Sequence, residues 1–120
     1  MTTQTDLAPQ PAATATALPA RFYVDAAMAD LDRRALFDRA WQWVAHVSQL
    51  RAAGDHVIAN LAGLPVIAVR GSDGVIRVMH NVCRHRAGPI AQCDGLAAKS
   101  LRCRYHGWTY TLEGQLRSAP

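Results

Sequence analysis

The sequence predicts a mainly β protein, an antiparallel β-sandwich with two Cys/His loops, preceded by one short α-helix. Three observations predict it. From residue 41 onward, short apolar runs alternate with glycine-bearing turns at roughly 8–12-residue spacing. Residues 26–40 instead repeat their apolar side chains at helical spacing. Finally, Cys83-Arg84-His85 and Cys103-Arg104-Tyr105-His106 interrupt the strand pattern, with 17 residues between His85 and Cys103.

The elements follow in chain order. Residues 1–18 are nearly all Thr, Ala, Pro and Gln, a composition that buries little apolar surface, so a disordered tail is expected there. The tail has neither a basic n-region nor a continuous apolar core, and Pro9 and Pro11 interrupt it, which argues against a secretory signal. Residues 19–40 form a lead-in. Asp25 is placed as a helix N-cap, and Met28, Leu31, Ala35 and Leu36 mark the apolar stripe of an amphipathic packing helix over 26–40. Asp30 and Arg34 stand at i, i+4 in the favourable order. Residues 41–120 make up the β domain.

Trp41, Trp43, Ala45 and Val47 alternate with Gln42, Val44, His46 and Ser48, which predicts a half-buried first strand. Gly54-Asp55 turns the chain into a strand at 56–61. Ala62-Gly63 turns it again into 64–70, and Gly71-Ser72-Asp73-Gly74 closes a hairpin with 75–80. A short strand at 99–102 separates the two Cys/His loops. Residues 108–111 and 115–116 form a last hairpin. The chain stops at Pro120 with no capping feature, so the β domain is expected to be incomplete at its C-terminus.

Charge narrows the function. The chain has 13 basic and 9 acidic residues. Arg84, Arg86, Lys99, Arg102 and Arg104 lie between Cys83 and Trp108 against Asp94 alone; elsewhere eight basic face eight acidic residues. The whole excess therefore surrounds the Cys/His loops, where it can compensate an anionic centre or meet an acidic partner. No aromatic platform or groove-reading helix accompanies it, so nucleic acid is not expected as a partner. No run approaches the roughly 20 apolar residues of a membrane span. Three cysteines, two of them in Cys/His spacings, argue for metal over disulfides and for a reducing, cytoplasmic setting.

The ligand types point to a binuclear iron–sulfur cluster, which needs two protein ligands per iron. With both thiolates on one iron and both imidazoles on the other, the oxidised centre carries a formal charge of about zero, compared with about −2 for four thiolates. Its reduction potential rises accordingly, to roughly −150 to +300 mV. Gly88-Pro89 and Gly107 are expected to turn the backbone tightly so that amides face sulfur. Structural zinc is the other reading of a Cys2His2 set, but zinc pairs usually read Cys-x2-4-Cys and His-x3-5-His.

The paired motif, with Val78-Met79-His80-Asn81-Val82 before it and Gly107-Trp108 and Tyr110 after it, closely resembles the Rieske motif. More narrowly, it resembles the N-terminal domain of the large (alpha) subunit of Rieske non-haem iron, ring-hydroxylating oxygenases. The resemblance covers roughly residues 18–120 and is looser before Gly54. It implies a Rieske-type antiparallel β-sandwich and a [2Fe–2S] cluster, with Cys83 and Cys103 on one iron and His85 and His106 on the other, the histidines through Nδ1. It implies an oxidoreductase in which a reductase or ferredoxin delivers electrons. The cluster would pass them to a mononuclear Fe(II) centre held by two histidines and a carboxylate in a catalytic domain of the same or a neighbouring subunit. That domain follows the motif in the family and is not recognisable here, so the 120 residues alone are not expected to catalyse hydroxylation. Homo-oligomerisation and strands beyond Pro120 are further implications. Respiratory Rieske proteins carry an extra disulfide-forming cysteine in each loop; Ala87-Gly88 and Tyr105 stand here instead, which implies the low-potential, oxygenase-type branch.

A free-standing Rieske ferredoxin is the alternative. The helical lead-in and the Trp-Thr-Tyr ending favour the oxygenase; the length favours the ferredoxin. The lead-in around Leu18 to Gln49 resembles oxygenases acting on quaternary amines such as choline, betaine or carnitine, with aromatic substrates equally open. Cys93 fits neither half-motif and is expected as a free thiol, and His46, His56 and His80 as structural residues. Trp108 and Tyr110 are expected to pack beneath the cluster loops.

Overall fold

A first unit ends at Trp41 and a second spans Gln42–Pro120. The computed structural model describes residues 8–120. Of the tail expected to be disordered, residues 1–7 lie outside the described residues. Residues 8–18 hold neither helix nor strand and are exposed, with one turn closed by the Thr14 N–H on the Pro11 carbonyl at 3.0 Å.

Helix α1, Arg21–Val24, is a single turn that the apolar spacing does not reveal. Helix α2, Ala26–Asp32, starts where expected, with the Asp25 carboxylate accepting the Ala27 N–H at 2.9 Å. It runs into a wider π-type turn, Arg33–Phe37, where the Asp38 N–H reaches five residues back to Arg33 O at 2.9 Å. The helical stretch thus ends at Phe37 rather than at residue 40. Asp30 pairs with Arg33 at 3.0 Å, while Arg34 Nε donates to the Asp30 carbonyl at 3.3 Å, so the i, i+3 ion pair forms in place of the expected i, i+4 pair. Of the expected apolar stripe, Met28 is half-buried while Leu31, Ala35 and Leu36 are exposed.

The expected first strand is absent. Residues 42–46 are extended without a ladder, and Val47–Gln49 form a 3₁₀ turn. His46 explains the outcome: its Nδ1 accepts the Ser48 N–H at 3.2 Å, and Gln49 Oε1 accepts the His46 N–H at 2.9 Å. These local bonds satisfy backbone that a strand would have paired. Burial departs from strict alternation as well. Val44 and Ala45 pack together against Leu50, Val57 and Ala68, while Trp43 and Val47 are exposed. Trp41, at the end of the first unit, is also fully exposed.

The remaining strands form close to where the sequence places them, some shorter, with the last at Leu116–Ser118 rather than 115–116. β1 (His56–Leu61), β2 (Leu64–Arg70) and β3 (Ile76–His80) make one antiparallel sheet in the order β1-β2-β3. β4 (Leu101–Arg102), β5 (Thr109–Tyr110) and β6 (Leu116–Ser118) make a second, in the order β4-β5-β6. The architecture is thus mainly antiparallel β behind a short helical lead-in, as expected.

β2 is the centre of the packing. Ile67 and Val69 point from one of its faces into a cluster with Leu101 and Tyr110 of the second sheet and Leu112 of the turn after β5. Ala68, on the opposite face, meets Leu50 and Val57. Alternation therefore buries both faces of the strand, each fully covered aliphatic side chain contributing about 1.5–3 kcal/mol. The ends of the two sheets are tied where Glu113 Oε1 accepts the Ser72 N–H at 2.9 Å and the Ser72 hydroxyl at 2.8 Å.

Candidate metal centre

The two Cys/His loops are the same turn built twice. In the first, the Cys83 N–H donates to Gly88 O at 2.7 Å and the Ala87 N–H to Cys83 O at 2.9 Å. In the second, the Cys103 N–H donates to Trp108 O at 2.9 Å and the Gly107 N–H to Cys103 O at 3.0 Å. The fourth residue after each cysteine is left-handed, Ala87 at φ 55° and Gly107 at φ 77°. Gly88 was expected to turn the first loop; Ala87 does so, accepting a backbone strain of roughly 1–2 kcal/mol that glycine would avoid. Against this common frame the imidazoles leave from different positions, two residues after Cys83 and three after Cys103. The unequal motif spacings serve equal loops.

Both thiols point inward and both imidazoles outward. Cys83 and Cys103 are each 2% exposed, free, and part of the cluster between the sheets. His85 and His106 are exposed, with ring centroids 4.7 Å apart and planes at 69°. Trp108 stacks on His85, and Tyr105 lies against His106. The structure brings together all four residues that the motif predicts.

Tyr110 contributes more than the packing expected of it. Its hydroxyl oxygen accepts the Arg84 N–H at 3.0 Å and hydrogen-bonds with Cys83 Sγ at 3.3 Å. Burial pushes the Cys83 thiol up, but the Tyr110 hydroxyl, the His85 and Arg86 amides and the Cys103 side chain together bring it below its ordinary value. Burial raises Tyr110, helped by the neighbouring Cys83. Desolvation, with the charges of His85 and Arg86, lowers His106 and favours the neutral imidazole that a metal takes.

Three further residues hold the loops; only Asn81 lies within the stretch that carries the family resemblance, and the resemblance assigns a role to none of them. Asn81, 5% exposed, accepts the Ile90 and Ala91 N–H groups at 3.0 and 2.9 Å and donates to Ala91 O at 2.8 Å, closing the base of the first loop. Asp94 accepts the Ile58 N–H at 2.8 Å, and Asp55 accepts those of Ala52 and Ala97 at 2.8 and 2.9 Å. These two carboxylates fasten the segment between the loops to β1 and its approach. Asn81 stands two residues before the first cysteine, inside the stretch that carries the family resemblance, but its hydrogen bonds are evident only in the structure.

The other candidates stay outside. His46 caps the 3₁₀ turn, and His56 Nδ1 bonds the Gly54 carbonyl at 3.0 Å. His80 is exposed on β3, and Cys93 is a free, exposed thiol. Arg84, Arg86, Lys99, Arg102 and Arg104 are all exposed, and none forms an ion pair among the described residues.

Among the described residues, no three His, Cys, Asp or Glu side chains gather around a single ion. A binuclear centre does not ask for that, since each of its irons takes two ligands. A soft, buried thiol pair beside an exposed imidazole pair is the donor set of such a centre, and the residues fit it.

Fold and donor set define an iron–sulfur β-domain. Residues 40–120 match the model of the Rieske [2Fe-2S] domain, and the chain belongs to that family, whose domains bind a [2Fe–2S] cluster. The carnitine monooxygenase oxygenase subunit of Escherichia coli strain K12 is 38% identical over 102 residues, covering 85% of this chain and 27% of the relative. The alpha subunit of biphenyl 2,3-dioxygenase of Rhodococcus jostii strain RHA1 is 41% identical over 103 residues, covering 86% of this chain and 22% of the relative. Among solved structures, a quaternary ammonium Rieske monooxygenase superposes with a TM-score of 0.80 at 34% identity, covering 84% of this chain and 28% of that one. Naphthalene 1,2-dioxygenase from a Rhodococcus species also superposes with a TM-score of 0.80 at 34% identity, over 86% and 23%. The chain therefore spans about a quarter of the length of these relatives. Enzymes of both substrate classes share the stretch.

Proposed function

We propose that residues 41–120 form the electron-entry domain of a Rieske non-haem iron oxygenase, with residues 1–18 a tail and 19–40 a lead-in to it. Cys83 and Cys103 would hold one iron of the cluster, and His85 and His106 the other. One observation carries this reading: two identical turns bring two buried thiols and two exposed, adjacent imidazoles to one place.

Bound there, the cluster supplies a one-electron store. The protein's own residues do the rest. The loop amides and the Tyr110 hydroxyl face the Cys83 sulfur and stabilise negative charge on it. The sheets keep water from both thiols. The imidazoles present their edges to solvent, where a donor and an acceptor of electrons can approach. The exposed arginines around them favour an acidic donor, a reductase or ferredoxin, whose approach charge attraction accelerates. The acceptor in this proposal is a mononuclear iron in a catalytic domain of the same or a neighbouring subunit. In support, one related structure, of a quaternary ammonium Rieske monooxygenase, is described in terms of inter-subunit electron transfer. Carnitine-type and aromatic substrates are both represented among the relatives.

The test is iron and acid-labile sulfide analysis, with an electron paramagnetic resonance spectrum of the dithionite-reduced protein. Two irons, two sulfides and a Rieske-type signal per chain are expected. Stoichiometric zinc, or a protein that takes up no iron on reconstitution, refutes the assignment.

A further inference from the structure

We propose that Trp108 is a positioning residue that fixes the plane of the His85 imidazole from across the two loops, an inference that rests on the cluster assignment above. The indole and imidazole planes are 7° from parallel with centroids 5.0 Å apart. The contact is not local: Trp108 closes the second loop, its carbonyl accepting the Cys103 N–H, yet its ring covers the histidine of the first. Its own position is set from behind, where it packs on the cluster of Ile67, Leu101 and Tyr110. His85 has no such support; it is exposed and makes no side-chain hydrogen bond among those of the described residues. A lone exposed imidazole samples several rotamers, and a stacked indole holds it in one plane. His85 then meets His106 edge to face with centroids 4.7 Å apart, and the Tyr105 ring lies against His106 with centroids 3.9 Å apart. A core-anchored tryptophan on His85 and an exposed tyrosine on His106 thus hold the imidazole pair ready.

Filling the core is the other task Trp108 could have, and two substitutions separate the tasks. Trp108→Phe keeps an aromatic face; Trp108→Leu keeps apolar volume without one. Both are made in the full chain and checked for folding by far-ultraviolet circular dichroism. In the cluster-loaded protein, Trp108→Leu is expected to speed iron loss to a chelator roughly twofold to tenfold over Trp108→Phe, the range an aromatic pair is worth. It is also expected to broaden the resonance signal, which Trp108→Phe leaves sharp. Equal loss rates and equal spectra in the two variants overturn the proposal. Proton resonances of the His85 ring in the iron-free wild-type chain give a second measure, needing neither variant nor cluster. An upfield ring-current shift supports the stack, and its absence overturns it. A wild type that binds no cluster sinks the cluster assignment, while the ring-current result still decides the stack.

Discussion

Replacing Asn81 by leucine removes the polar groups that close the base of the first loop while keeping the branched shape of the side chain. The lost interactions can be counted. Ile90 N–H and Ala91 N–H lose their acceptor and Ala91 O loses its donor, at 3.0, 2.9 and 2.8 Å. A fully buried polar group left without a partner costs roughly 1–3 kcal/mol. Ile90 and Ala91 are half-buried, so water recovers part of each, and the low end applies. Three groups then cost about 3 kcal/mol. For a domain of this size, that lowers the melting temperature by roughly 12 °C or more. The assay is thermal unfolding followed by circular dichroism, with iron content measured on the same samples, because the frayed segment carries Cys83 and His85. Asn81→Asp separates the contributions: it keeps the acceptor for both amides but sets a carboxylate oxygen against Ala91 O, for a loss of about 1–2 kcal/mol. A leucine variant that melts within about 2 °C of wild type and retains its iron refutes the claim that Asn81 organises the loop.

Three further outcomes are expected. Tyr110→Phe removes a hydrogen bond to sulfur that favours the more anionic, reduced cluster; at about 1 kcal/mol, the midpoint potential falls by roughly 40 mV, read by a redox titration, and an unchanged potential contradicts the role given to the hydroxyl. Gly54→Ala places a Cβ on the Ala98 backbone at a left-handed position of φ 85°, which costs about 3 kcal/mol or more and shows as lost soluble yield; a variant as stable as wild type refutes that packing. Acid destabilises the fold through three carboxylates held below their ordinary range: Asp55 by the Ala52 and Ala97 amides, Asp73 by Arg77 and the Val75 amide, and Glu113 by the Ser72 amide and hydroxyl. Because their folded values are depressed, the stability they add is complete above the ordinary values of 3.8 and 4.5 and is lost as pH falls through the folded ones. The melting temperature is therefore expected to fall below about pH 4.5, less so in Asp55→Asn, and a flat profile from about pH 6 to pH 3 contradicts it.

Strands were legible where alternation and turns agreed. In β2, Ile67 and Val69 alternate with Ala68 between two glycine-bearing turns, so pattern and punctuation give one answer. At 41–48 the alternation is as regular, yet no strand forms, because a histidine and a glutamine satisfy the backbone locally. Periodicity reports which side chains could share a face; it is silent on whether a partner strand exists. The helix shows the same limit. Its N-cap was plain in Asp25, a short-range signal, whereas its wide last turn and its exposed apolar residues were not.

By itself the sequence determined the identities of the four candidate ligands and the charge around them, because metal chemistry selects residue types and those are written directly in the chain. The tertiary structure decided what those residues share: one turn built twice, thiols inward, imidazoles outward, and the groups that support them. Asn81 reaches nine and ten residues along the chain, Tyr110 twenty-seven back to Cys83, and Trp108 twenty-three back to His85. Contacts across such separations depend on how two sheets close on each other, and no local spacing encodes that.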